Sequence, residues 1–246
     1  MKRYMIIALV AVALAAGIFA ASGRMVLGAA VPAPAVALAA TSPQELGTPP
    51  TGWNSIEYIS RIDQDGAYLT SYGYLTYISG LSAGAVFTDV YNTNERTARF
   101  TFYTTSVLTA RTIISGVFQL NASGPTTFYY HPDGALADWA SPATFAAGTS
   151  IATTSGRYQS VLNVQGPNLG LSTVFGEITH LTADPFTLGG QSYVLGRPGL
   201  LVREFFTGEG TRTDPITPKS FTVGAGNTVA VGQRGPYMPL ILSEHP

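Results

Sequence analysis

Few residues in this chain have types and spacings that could do chemistry. Glu177 and His180 form a Glu-x-x-His pair, His131 and Asp133 share the turn-like stretch 129–134, and Asp63 and Asp65 flank Gln64 before Gly66. A His beside a carboxylate can serve as a general base, since imidazole needs only a modest shift to titrate near neutral pH. On a helix the Glu177–His180 spacing would put both groups on one face. Residues 174–179 read as a strand, where a spacing of three sends them to opposite faces, so a shared metal or acid–base pair is not expected. The 63–66 stretch has the composition of a calcium loop, but the chain continues Ala67-Tyr68-Leu69 into a strand, and turn chemistry accounts for it. Glu204, Glu209 and Asp214 could supply paired carboxylates for glycoside hydrolysis, with Arg197 and Arg203 as their salt partners. The absence of cysteine excludes disulfides, thiolate metal sites and a Cys nucleophile. No cofactor is expected.

Tyrosine is the most distinctive feature. Tyr68, Tyr72 and Tyr74 recur at even spacing, with Tyr58 and Tyr77 nearby. In a strand the even spacing lines them on one side. Rings with polar tips can line a ligand mouth or a sugar-binding face, although strands also favour them for packing alone. Tyr58, Tyr68, Tyr72 and Tyr74 are the expected ligand-binding residues.

The elements that must hold these residues read as short strands. At 56–62, Ile56, Tyr58, Ser60 and Ile62 share one face, opposite Glu57, Ile59 and Arg61; Gly66 then turns the chain into 67–78. Further strands are expected at 84–91, 97–109, 112–120 and 126–130, with a turn at Asn121-Ala122-Ser123-Gly124-Pro125. Others follow at 149–154, 158–164, 171–181, 191–195, 200–207, 220–223 and 228–231. Residues 135–147 carry some helical propensity, limited by Pro142 to a turn or two. No segment sustains a 3.6-residue period. Many close-spaced strands with gaps too short for helical crossovers predict an all-β fold. A single antiparallel β-barrel is preferred because closure removes exposed edges, with a β-sandwich as the alternative.

One local pattern bears on that choice. Gly156, Tyr158, Val164-Gln165-Gly166-Pro167 and Leu169 resemble a short stretch of the allene oxide cyclase and dirigent-like barrels. Over those 14 residues the resemblance implies a barrel and carries no function across.

Composition sets the compartment and narrows the partners. Charged residues are only 11% of the 246, less than half the usual share of roughly 25%, so the polar surface must come largely from uncharged side chains. Setting aside residues 1–40, with Lys2, Arg3 and Arg24, leaves ten basic against 14 acidic residues. That net charge near −4 disfavours nucleic acid. Lys2 and Arg3 precede an apolar run over 4–21, the order of a secretory signal or an uncleaved anchor. The expected organisation is a signal peptide or membrane anchor at 1–24, an Ala/Pro-rich tether at 25–52 and an all-β domain at 53–246, exported to the outside. Membrane contact is expected only through an uncleaved N-terminal segment. The leading functional expectation is a non-catalytic domain that binds a small ligand, glycan or protein partner through its Tyr-rich face. A structural envelope or matrix role ranks second, and a His/carboxylate hydrolase or isomerase third.

Overall fold

The structure, a computed structural model, describes residues 42–212 and 219–230. The expected signal or anchor, most of the tether, Asp214 and the last expected strand residue Val231 lie outside them. Eight strands close into an antiparallel barrel: β2 (Asn54–Asp65), β3 (Tyr68–Ile78), β4 (Phe100–Ile114), β5 (Val117–Tyr130), β6 (Thr149–Gly166), β7 (Leu169–Ala183), β10 (Leu201–Thr211) and β11 (Lys219–Val229). β7 pairs with β10, β10 with β11, and β11 with β2, so the circuit has no open edge. A second, three-stranded sheet joins β1 (Gln44–Leu46), β9 (Gln191–Leu195) and β8 (Phe186–Leu188).

β1 falls within the stretch read as a tether, and Leu46 is fully buried in the core. Pro43, Pro49 and Pro50 favour extended backbone, which is also what a strand needs, and Gln44–Leu46, directly after Pro43, pair in parallel with β9. The folded unit therefore begins ahead of Trp53.

The two ends of the barrel differ. Tight hairpins β2–β3, β4–β5 and β6–β7 turn at one end. Longer connections, including α1 (Ala83–Val86), a 3-10 turn (Pro142–Ala146) and the small sheet, cross the other. At that crossed end Phe100, Tyr130 and Phe186 meet with ring centroids 4.8–5.6 Å apart and form a floor.

Three expectations are corrected by the ladder. Residues 84–91 form the short helix α1 and one bridge, Phe87 to Ala98, rather than a strand. The stretch 121–125 is no turn: β5 runs straight through it, and the chain reverses at Ser115-Gly116 instead. Pro125 is tolerated because the β4–β5 register skips from Thr104–Thr126 to Val107–Ser123, which leaves it outside the ladder on that side. β6 likewise continues through Ser155-Gly156-Arg157, where a break was expected.

Candidate functional site

Closure gives every strand a lumen face and an outer face. On β2 the lumen face is Ile56, Tyr58, Ser60 and Ile62, the set that alternation groups together. An eight-stranded barrel has an interior just wide enough to be filled by side chains or to hold one small ligand. Here small residues occupy the waist: Ser60, Thr104, Ser160 and Ser172 line it, with Gly176 and Gly224 behind the rings. A cavity of about 160 Å³ remains. Its wall is mainly apolar, with Ile62, Leu69, Phe102, Phe128, Val174 and Phe206 among the lining residues.

The hydroxyls in this wall bond to one another. Ser60 Oγ and Thr222 Oγ1 lie 2.6 Å apart, Thr104 and Thr126 Oγ1 2.8 Å, and Ser160 and Ser172 Oγ 2.9 Å. Thr126 Oγ1 also meets the Tyr158 hydroxyl at 3.3 Å. Paired in this way, they leave the chamber less polar than its sequence suggests.

Glu204 is the exception. It reaches the lumen from β10, between Val202 and Phe206 in the same alternation, and is 7% exposed. Burial pushes its carboxyl up to about 7, partly offset by a hydrogen-bonding contact from Tyr58 that favours the ionised form. Tyr58 and Tyr158 are both held well above the ordinary phenol range, by burial first and by the nearby Glu204 charge second. Tyr58 packs edge-on against Phe102 at 5.4 Å and Phe206 at 6.1 Å. Glycines make room for both phenols: a Cβ at Gly224 would come within 2.8 Å of the Tyr58 ring, and one at Gly176 within 2.8 Å of Tyr158. The arrangement can hold one polar group of a ligand and exchange a proton with it.

No protein-family model, curated protein or solved structure matches the chain.

Of the four tyrosines expected to bind ligand, only Tyr58 faces the cavity. Tyr68 is exposed on the outer face beside the β2–β3 turn. Tyr72 and Tyr74 also point outward, but residues 135–147 fold over them. Tyr72 lies 5.2 Å from Phe145 and 6.0 Å from Trp139, and Tyr74 lies 6.1 Å from Trp139. Tyr72 is fully buried and its hydroxyl donates to Asp63 Oδ2 at 2.8 Å. Asp63 also accepts from Arg61 at 3.1 Å, so its carboxylate serves the outer wall rather than a cation loop.

The histidines are not joined to carboxylates by any hydrogen bond or ion pair among the described residues. His131 Nε2 and Thr101 Oγ1 are 2.9 Å apart, and burial lowers the His131 pKa. His180 is buried over Phe128, its Nδ1 has no hydrogen-bond partner, and burial lowers its pKa to about 4. Glu177, on the opposite face as the spacing requires, pairs outside with Arg203 at 3.1 Å. Arg197 pairs with Glu45 at 2.8 Å, so neither arginine serves Glu204. Glu209 shares neither the lumen parity nor the cavity wall.

Sequence reasoning missed Tyr158 and the special place of Glu204. The available signal was a lone carboxylate at the parity of Val202 and Phe206, facing a strand with Gly224 and Gly226 at alternate positions.

Proposed function

We propose that the protein is an exported, non-catalytic binding protein that holds a small, largely apolar ligand inside the barrel. One polar group of the ligand meets Glu204 and Tyr58. The observation that carries this reading is the lumen cavity, where Glu204 is the one carboxyl among the described lining residues. The cavity volume is close to the roughly 150 Å³ of an apolar cavity that takes up benzene, so the enclosed part of the ligand is about one ring with short substituents. An amine matches the ionised carboxylate, and a carbonyl or hydroxyl matches the protonated acid. Export is supported by the Lys2-Arg3 start and the apolar run that follows it.

The test is ligand-dependent unfolding with single-ring amines, phenols and ketones. A ligand that fits, present at about 100 times its Kd, raises the unfolding free energy by about 3 kcal/mol. Val174→Trp, which fills the lumen, should remove that gain. If no compound of this class stabilises the wild type, or Val174→Trp responds equally, the lumen is not a binding site.

A second reading is favoured by the same carboxyl. A buried Glu whose pKa is pushed up to about 7 can take and return a proton, as an isomerase acting beside a carbonyl requires. The two readings separate on whether the ligand leaves chemically unchanged.

A further inference from the structure

The hairpins around the chamber mouth are of unequal height. Tyr68, at the β2–β3 turn, pairs with Val107, so β4 runs on from Leu108 to Ile114 beyond that turn before reversing at Ser115-Gly116. β6 and β7 extend beside it: Val117 pairs with Asn163, and the Val164 N–H donates to the Gly116 carbonyl at 3.1 Å. The two turns form one lip next to the mouth, where Leu108, Leu120 and Leu162 line the cavity.

Apolar side chains are exposed on both faces of this lip: Ile114, Val117 and Leu169 outward, and Ile113 and Val164 in line with the cavity-lining Leu120 and Leu162. Ile113, Ile114, Val117, Val164 and Leu169 are 36–67% accessible. Charge is nearly missing from it. Residues 105–126 carry only Arg111, whose guanidinium lies 5.1 Å over the Phe118 ring, and residues 158–176 carry none. A contiguous group of exposed apolar side chains marks an interaction site rather than a face meant only for water. Exposed aliphatic side chains, no anion and a cation set on an aromatic ring instead match a segment that enters the boundary between acidic headgroups and acyl chains.

We propose that this lip inserts into the surface of an acidic phospholipid bilayer and brings the chamber mouth to the lipid phase from which the ligand is taken. The idea rests on the lumen as binding site. Continuity of the lip with Leu108, Leu120 and Leu162 gives an apolar path from bilayer to chamber.

The cysteine-free sequence makes a single introduced thiol unique. In the full chain, Ile114→Cys labelled with an environment-sensitive nitrobenzoxadiazole dye is mixed with vesicles containing phosphatidylglycerol. Tyr91→Cys, 98% exposed on a connection at the crossed end, carries the same dye as control. The apolar run at 4–21 can itself attach the chain to vesicles, so the readout is the local environment of the dye and not attachment. The emission at 114 should move to the blue and gain intensity while that at 91 stays unchanged. No change at 114, an equal change at both positions, or a change at 114 that appears with protein concentration in the absence of vesicles overturns the proposal; the last outcome assigns the lip to a second copy of the chain. Val174→Trp should keep the shift at 114 while losing ligand stabilisation, so failure of the lip and failure of the chamber are read separately.

Discussion

His180 and Phe128 stack inside the barrel with their rings 3° from parallel and their centroids 6.3 Å apart. An imidazole held against a phenyl ring without a partner on Nδ1 is poorly placed to carry charge, and its pKa falls to about 4. Glu204, in the same lumen, moves the other way to about 7. Folding therefore strips a proton from one group and adds one to the other across overlapping pH ranges.

The consequence is a masked pH dependence. Between about 6.5 and 4 the unfolded chain protonates His180 and the folded chain does not, so this group's contribution is lost as pH falls. Between about 4.5 and 7 the folded chain keeps the Glu204 proton and the unfolded chain does not, so stability is lost as pH rises. Each shift amounts to about 3 kcal/mol, and the slopes oppose one another. Wild-type stability should change little between pH 4.5 and 6.5, apart from a further loss on acidification from His131, whose pKa burial also lowers. Glu204→Gln should expose the His slope, with urea midpoints falling steadily from pH 6.5 to 4. His180→Asn should shift the profile toward the Glu204 slope. Parallel profiles for wild type and Glu204→Gln would show that the carboxyl is not perturbed.

The same residues show how much was readable in advance. The β2–β3 hairpin was legible because alternation is strict and Gly66, at φ +57, supplies the turn. The opposite placement of Glu177 and His180 followed from spacing alone. The grouping of Tyr58 with Tyr72 did not survive, because which face of a strand is lumen is fixed by closure of all eight strands. Arg61 pairs with Tyr72 and shares its outer face, which sends Tyr58 inward. Gly124-Pro125 and Gly156 read as breaks because punctuating residues usually end strands. In this barrel Gly124 leaves room for the β4 backbone and Gly156 for the Tyr158 ring.

Gly124 is one position where a neighbouring backbone passes too close for a side chain. A Cβ there would stand 1.9 Å from the Thr105 carbonyl oxygen, which is backbone and cannot swing away. Gly124→Ala should destabilise by about 3 kcal/mol or more, as overpacking against fixed atoms does. Gly116→Ala, where nothing lies within 4 Å, suffers only from its positive φ and should cost about 1 kcal/mol. Chemical denaturation of the two variants side by side distinguishes them, and equal losses would refute the close approach at Gly124.

Tyr72 offers a separation of stability from binding. Its ring is fully buried beneath Phe145 and Trp139 on the outer wall, away from the cavity. Tyr72→Ala should cost about 3–5 kcal/mol, as large aromatic truncations do. Tyr72→Phe removes only the bond to Asp63, about 1 kcal/mol or somewhat more because the acceptor is charged. Ligand affinity measured on the Phe variant should equal that of the wild type. A clear drop in affinity would return the binding surface to the outer face.

Tyr58→Phe tests the inner pair directly. The Tyr58 hydroxyl favours the ionised carboxylate, and burial opposes it. Removing the hydroxyl leaves burial unopposed, so the Glu204 midpoint should rise above about 7. Carboxyl carbon shifts from selectively labelled Glu, followed through a pH titration, read that midpoint without any ligand. The unfolded-state titration is unchanged, so the extra rise lowers stability above pH 7 and leaves it unaltered at pH 4, apart from the loss of one hydrogen bond. An amine ligand, which needs the anion, should bind the Phe variant more weakly near neutral pH and recover as pH is raised. A midpoint that stays put would mean that Tyr58 and Glu204 do not communicate, and one that falls would mean that the hydroxyl favours the protonated acid instead.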